Sequence, residues 1–404
     1  MKKTFGYVAP ALESTATKLD FDAYDRSLDL FEEKRYIDSL HAILDYFDSN
    51  IRVVHDNDHP VTEAPAQSKG FSFLGFTFRK PGRTQPREYG PGRNFTVPHG
   101  SIILHIQITD TEFIVRAPYV SLPSDERRIP MMRRVCELNL SDLDLVHFTL
   151  DGNELHLNFR CPLELTHTHK IVYMLRELCL TGDKYDDEFV TKYGAKRLFT
   201  PEITPFSPEE TQRIIEGIRQ TCRETIEAID EYANDRRFGI AWHFLAIALF
   251  KISYFARPQG NLDADLDRAV DDAWADGDTQ VQVSEGREFL QKLLDSPDDE
   301  LAESLYKVQT ICSPRRASDL GNIRSNLQEN YDNAVKAYSS DSMECCMRTL
   351  LMIYRTYFYN DLQDDVNHVF AKALEKSANM DFGPASNVLI KAMRIVMEKM
   401  ASED

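Results

Sequence analysis

Val146-His147-Phe148-Thr149-Leu150-Asp151-Gly152-Asn153-Glu154-Leu155-His156-Leu157 reads as a β-hairpin. Apolar residues alternate on both sides of Asp151-Gly152-Asn153, and Asp-Gly supplies the positive φ that a tight hairpin turn needs. Upstream, Ile102 to Thr109 and Glu112 to Tyr119 carry the same period and meet at a turn, Asp110-Thr111. Between the two hairpins the period changes to 3.6, so Asp125 to Leu140 reads as a helix with Ser124 as candidate N-cap. A second helix follows from about His167 to Leu180. Phe71, Phe73, Phe76 and Phe78 open the series as a strand, Phe71 to Arg79. The order strand, strand, strand, helix, strand, strand, helix predicts an α+β domain with a mainly antiparallel sheet, over residues 70–190.

The flanks are helical. Residues 1–19 have little pattern and read as a loose arm. Asp20 to Asn50 reads as two helices, with Leu28, Phe31, Tyr36, Leu40, Ile43, Leu44 and Phe47 at helical spacing. The pair resembles a tetratricopeptide-type hairpin without the full repeat signature, and with the arm it forms an N-terminal module, residues 1–56. Residues 56–70 read as a linker, and Thr181 to Phe206 as a connecting stretch. Ser207-Pro208-Glu209-Glu210 is a helix start, with Ser as cap, Pro at the first position and acids in the first turn. From there to the end the pattern is helix after helix with no strand, including a helix over 298–311, so residues 207–404 form an all-α domain.

The chain has 404 residues and a net charge of −18. A negative field of that size argues against nucleic-acid binding, which needs positive charge against phosphate. Seven cysteines, an odd number with no Cys-x-x-Cys, argue against a disulfide framework or structural zinc and point to a reducing cytoplasm. The start of the chain shows no sustained apolar core of an export signal. Phe238 to Phe255 is the most apolar run, but it carries His243 and Lys251 and falls short of the ~20 residues that span a bilayer, so it reads as a buried helix and no membrane insertion is expected.

No phosphate-cradling loop, nucleophile elbow or His-Glu-x-x-His helix occurs, and no cofactor is implied. His55-Asp56-Asn57-Asp58-His59 and His167-Thr168-His169 offer metal-ligand types. The first lies in a linker and the second splits over two helix faces, so both read as solvated polar residues. Charge is segregated. Arg79, Lys80, Arg83, Arg87 and Arg93 stand against Glu88 alone in a Pro/Gly-rich loop, while residues 261–300 hold 13 acids and three bases. The basic loop suits docking on an acidic partner, on nucleic acid or on residues 261–300 of the same chain, and the acidic region suits a basic client, where complementarity mainly raises the association rate.

Five segments form one pattern: Thr111-Glu112-Phe113-Ile114-Val115-Arg116-Ala117-Pro118, Met131-Met132-Arg133-Arg134-Val135-Cys136-Glu137-Leu138-Asn139, the hairpin 146–157, Tyr173-Met174-Leu175-Arg176-Glu177-Leu178 and Tyr185-Asp186. Together they resemble the type III secretion chaperone-like fold, in particular the YbjN-type family of bacterial sensory transduction regulators. The resemblance covers about residues 71–189; the basic loop and the helical region depart from it. It implies protein binding by a dimeric chaperone that holds an extended client along apolar grooves and sheet edges.

The expectation is therefore a non-catalytic protein-binding protein, a chaperone or adaptor for a protein client or assembly partner, with homodimer formation as one possibility. The expected partner-facing residues are Phe71, Phe73, Phe76, Phe78, Arg79, Lys80, Arg83, Arg87 and Arg93. To these are added Tyr354, Tyr357 and Phe358, from a segment apolar on nearly every helix face. The alternatives are an enzyme with a site of scattered residues in the helical domain, which would need a polar cleft of convergent His, Asp or Glu, and a structural scaffold of a larger complex.

Overall fold

The computed structural model describes residues 3–11, 19–47 and 93–400. The chain divides into two compact units: Thr17–Pro201 with Gln309–Cys312, and Met1–Ala16 with Glu202–Val308 and Ser313–Asp404. The first is called the sheet unit below and the second the helical unit.

In the sheet unit, α1 (Phe21–Glu32) and α2 (Tyr36–Phe47) form an antiparallel hairpin turned at Lys34, with Asp20 capping α1. The strands are β1 (Asn94–His99), β2 (Ile102–Ile108), β3 (Glu112–Ser121), β4 (His147–Asp151), β5 (Glu154–Pro162) and the two-residue β6 (Lys196–Arg197). They form one antiparallel sheet of order β1-β2-β3-β5-β4, with β6 beside β3. The α+β class and the antiparallel sheet are as the periodicity predicts. Gly152 takes φ +59° in the β4–β5 turn, the conformation that makes Asp-Gly a turn signal. α3 (Arg128–Ser141) follows β3, and α4 (Thr168–Tyr193) follows β5. Phe95, Leu104, Ile106, Phe113, Val115, Leu157 and Phe159 share one core with Met131, Val135 and Leu138 of α3 and Met174, Leu175 and Leu178 of α4. Gly182 of α4 allows the close approach of Ile102, whose Cδ1 would lie 2.5 Å from an added Cβ.

The expectations differ from this unit in four places. The strand at Phe71 to Arg79 and the linker at 56–70 lie outside the described residues. Among those described, the first strand is β1, a six-residue piece whose alternation of Phe95, Val97 and His99 is disguised by Pro98 and its Pro/Gly-rich neighbourhood. α3 starts at Arg128, and Ser124 is not its cap; Asp125 Oδ1 instead accepts the Arg127 N–H at 3.0 Å. α4 runs on to Tyr193 because Phe189 enters the core and Asp186, displayed one turn earlier, binds Arg197 Nε at 2.7 Å. The α1–α2 hairpin is part of this unit and not a module with the arm, since Ser27 Oγ reaches Thr168 Oγ1 at 2.8 Å and Leu40, Ile43 and Leu44 join the sheet core.

The helical unit comprises α5 (Pro208–Asn234), α6 (Phe238–Ala256), α7 (Gly260–Trp274), α8 (Thr279–Asp295), α9 (Asp298–Ala302), α10 (Leu320–Tyr338), α11 (Ser342–Tyr359), α12 (Asp364–Ser377) and α13 (Phe382–Arg394), the last running into a π-turn. Ser207 Oγ accepts the Glu210 N–H at 3.2 Å, as the Ser-Pro start predicts. The region is not free of strands: β7 (Ile203–Pro205) pairs antiparallel with β8 (Tyr306–Val308), and β9 (Arg316–Ser318) pairs parallel with β10 (Asn360–Leu362). The helix expected over 298–311 stops at Ala302, after which β8 and the insert Gln309–Cys312 take the chain elsewhere. The arm is not loose. Thr4 N–H donates to Met380 O at 2.9 Å, Ala11 N–H donates to Phe255 O at 2.9 Å, and Phe5 is buried edge-on against Phe244. α6 is long and apolar enough to cross a membrane by length and composition, and 72% of it is buried inside the unit.

Candidate functional site

α3 is apolar on two faces. Met131, Val135 and Leu138 point into the core, while Ile129, Met132, Cys136 and Leu140, three or four residues apart, line the outside. Ile129 is 64% and Leu140 87% exposed, and of the seven cysteines only Cys136 is exposed. Beside this stripe lies β4, an edge of the sheet. The two-residue turn makes Asp151 and Glu154 a hydrogen-bonded pair, so by alternation the backbone groups of Phe148 and Leu150 face away from β5. The amide of Asn139 takes up those of Phe148: the Phe148 N–H donates to Oδ1 at 2.8 Å and Nδ2 donates to Phe148 O at 3.0 Å. Leu150, its side chain 47% exposed, extends the edge beyond that clamp.

The surface is held from behind. Glu177 of α4 accepts the N–H groups of Asp144, Leu145 and Val146 at 2.6, 2.9 and 2.8 Å. Tyr173 donates its hydroxyl to Asp144 and Tyr185 donates to Asp142. Ser141 and Tyr185, donating to the Asp142 carboxylate, hold its pKa below the usual range, and desolvation opposes them. Charge is polarised along α3: Arg128, Arg133 and Arg134 lie in its first half and Glu137 in its second, with Asp142 and Asp144 beyond; ahead of the helix Arg127 is paired with Asp125, and Glu126 adds a further acid.

The sheet also carries His105 directly opposite Arg116, and His156 opposite Pro118 two residues further along β3. Arg116 is paired with Asp151 at 2.9 Å. Burial lowers the pKa of both imidazoles, with Arg116 adding to the effect, so they are neutral at pH 7. Among the described residues no three His, Cys, Asp or Glu converge as metal ligands. His167 caps α4 by accepting the His169 N–H, and its ring stacks on that of His169, which also bonds Tyr24. His55-Asp56-Asn57-Asp58-His59 lies outside the described residues.

Of the residues expected to face a partner, Phe71, Phe73, Phe76, Phe78, Arg79, Lys80, Arg83 and Arg87 also lie outside them. Arg93 pairs with Asp110. Tyr354 and Tyr357 are core residues of the helical unit, 3% and 5% exposed, and the expectation of a partner-facing role is corrected for both. Their rings are covered by Tyr254, at 5.6 and 4.6 Å between centroids, and the Tyr357 hydroxyl donates to Asn367. Phe358 is half-buried with its ring 4.9 Å from that of Phe250. The acids of 261–300 stand on α7, α8 and α9. Asp265 is tied to Arg268 and Lys292 and Asp298 to Arg219, while Asp271, Asp272, Asp276 and Glu285 are exposed.

The nearest approach to a catalytic group in the helical unit is Lys251. It is fully buried, its Nζ donates to Thr221 Oγ1 at 3.0 Å and lies 5.2 Å from the centre of the Phe5 ring, and desolvation lowers its pKa to about 8. Phe5 of the arm lies over it. An open groove of about 370 Å³ at the α1–α2 turn is lined by Lys34, Arg35, Tyr36, Ile37, Asp38 and Leu163, and there Arg35 is already paired with Asp38 and Glu33. No family model and no curated protein matches the chain. Ile129, Cys136 and Leu140 are the residues that sequence reading misses. The available signal is a helix with apolar residues at both its inward and its outward positions.

Proposed function

We propose that the protein is a non-catalytic protein-binding protein, a chaperone or adaptor, and that the outer face of α3 with the edge of β4 is where the sheet unit meets another polypeptide. The observation that carries this is the exposure of Ile129, Cys136 and Leu140 along one face of α3, with the half-buried Met132 between them. Burying Ile129 and Leu140 is worth roughly 1.5–3 kcal/mol each, and a helix leaves such side chains uncovered where a partner supplies the cover. The order of strands and helices supports the resemblance to the chaperone-like fold. So does the position of the matching residues Asn139, Glu177 and Tyr185, which all brace the α3–β4 connection.

The occupant is a second copy of the chain. Two α3 helices packed antiparallel set the basic half of one against the acidic half of the other, which is the self-complementarity that a two-fold interface requires. Cys136 lies near the middle of the stripe, so the two thiols meet close to the axis. Native mass spectrometry is expected to show a dimer, mild oxidation a disulfide-linked dimer that Cys136→Ser abolishes, and Leu140→Asp a monomer. A wild-type chain that stays monomeric at tens of micromolar would overturn the dimer. Affinity capture of the full chain from its host tests the adaptor role, which fails if no stoichiometric protein partner is retained.

A further inference from the structure

Residues 4–11 carry no charged side chain and form neither helix nor strand, yet the helical unit holds them as a bound peptide is held. Main-chain hydrogen bonds fix one end at the α12–α13 turn: the Thr4 N–H donates to Met380 O at 2.9 Å, and the Asn379 N–H donates to Phe5 O at 3.3 Å. The Phe5 ring meets Phe244 edge-on at 5.8 Å. Val8 sits over Gly217 of α5, where an added Cβ would come within 3.1 Å of both its methyl groups. Arg213 Nη1 donates to Ala9 O at 2.8 Å. In sequence the arm is separated from the rest of its unit by all of Thr17–Pro201, so its hold on the groove rests on these contacts.

The seat is unfavourable in two places. Lys251 is fully buried, with its Nζ on Thr221 Oγ1 at 3.0 Å and 5.2 Å from the centre of the Phe5 ring. A cation held dry by a hydroxyl and a ring costs stability. Asn379, whose N–H binds Phe5 O, has φ +55°, in the left-handed region that residues other than glycine rarely take. A segment that served folding alone needs neither feature, and departures of this kind collect where ligands are clamped.

We propose that this groove is a peptide-binding site with the arm as its resident occupant. The partner it fits is an extended, uncharged segment of another polypeptide that carries an aromatic side chain and, three residues on, a β-branched aliphatic one. Such a segment displaces the arm. Its backbone takes over the hydrogen bonds to Met380 and Asn379, its ring the place of Phe5, and its aliphatic side chain the space over Gly217. The tethered arm competes at a high effective concentration, so the groove stays closed until a segment outbinds it. This site is separate from the α3 surface and stands or falls without it.

The test is fluorescence anisotropy with a labelled peptide of residues 2–12 added to the full chain. One saturable site is expected on the Phe5→Ala chain, whose arm has lost its anchor. Binding to the wild type should be at least about tenfold weaker, because the intact arm competes. The peptide with the same Phe-to-Ala change should bind the Phe5→Ala chain about 10- to 100-fold more weakly than the unaltered peptide. Adding Gly217→Val to that chain should abolish binding, since the new side chain fills the Val8 seat. A second peptide that keeps only the Phe and Val at their spacing, in an otherwise Ala/Ser sequence, should compete for the site. The proposal is overturned if the Phe5→Ala chain binds no peptide, if the wild type binds as tightly, or if Gly217→Val changes nothing. It also fails if the second peptide does not compete, because a groove that accepts the arm sequence alone is a fold contact. Should Phe5→Ala unfold the helical unit, Thr4→Val, which removes only the hydroxyl contacts with Ser377 and Met380, loosens the arm instead and decides in the same way.

Discussion

α3 in the sheet unit and α11 in the helical unit are both apolar on more than one face, and the fold treats them in opposite ways. α11 is central: Tyr354 and Tyr357 meet Tyr254 of α6, and Tyr357 also meets Phe370 of α12. α3 has neighbours on one side, and its second apolar face leaves Ile129, Cys136 and Leu140 exposed. A helix that is apolar all round has to be covered, but its own composition does not say whether the cover comes from the same chain. The number and position of neighbouring helices decide that, and they are properties of the tertiary fold.

The most severe test of the contrast removes the cover from within. Tyr354→Ala should leave a cavity among α6, α11 and their neighbours and destabilise the helical unit by about 4 kcal/mol. Both tryptophans, Trp242 and Trp274, belong to that unit, so their fluorescence during urea unfolding reads it directly. A loss below about 1 kcal/mol would mean that α11 is less central than its burial indicates.

The next effect depends on pH. Lys251 is buried with a pKa of about 8, against an ordinary value of 10.5. Between those values the unfolded chain binds more protons than the folded one, so stability rises with pH through that window and the cost of the buried charge is greatest below pH 8. Lys251→Met should therefore stabilise the helical unit at pH 7, by on the order of 3 kcal/mol, and the gain should fade as pH rises from about 8 to 10.5. Urea midpoints for both proteins across pH 7–10.5 check this. A gain that does not change with pH would show that the pKa of Lys251 is not lowered in the fold.

In the sheet unit the matching experiment loosens the support of α3. Glu177→Ala strips three backbone N–H groups of their acceptor and should cost roughly 2–3 kcal/mol, since the lost partner is charged but the site is partly solvated. Hydrogen exchange should show protection lost at Asp144, Leu145 and Val146 while Trp fluorescence reports an unchanged helical unit. Unchanged protection at those amides would remove Glu177 from the account.

Local chemistry is readable in the sequence, and remote assembly is not. The Asp151-Gly152 turn, the Ser207-Pro208 helix start and the two-residue period of β2, β3 and β5 depend on neighbours in the chain, and each is visible as a pattern. Asn139 and Glu177 stand in the family-like pattern without a role, because the groups they bind lie nine and more than thirty residues away. The insert Gln309–Cys312 could not be anticipated at all, since its partners His99 and Gly100 are far off in sequence and its own four residues have no period. For the candidate site, the aromatic signal at Tyr354 and Tyr357 is large but means core. The aliphatic signal at Ile129 and Leu140 is small and means surface.

The smallest expected effect is the one that separates the two helices most cleanly. Leu140 is 87% exposed, so Leu140→Ser removes almost no buried surface and should change the stability of an isolated chain by less than about 0.5 kcal/mol. Its consequence should appear only with concentration. At dilutions where the chain is monomeric, variant and wild type should unfold together. At tens of micromolar the wild type should gain stability from association while the variant does not, because a ligand that binds only the folded state stabilises it by mass action. Equal stability at every concentration would leave α3 with an apolar stripe that no second copy covers, and the interface would have to be sought elsewhere. A large loss at high dilution would mean that Leu140 already packs within its own chain, and the contrast with α11 would disappear.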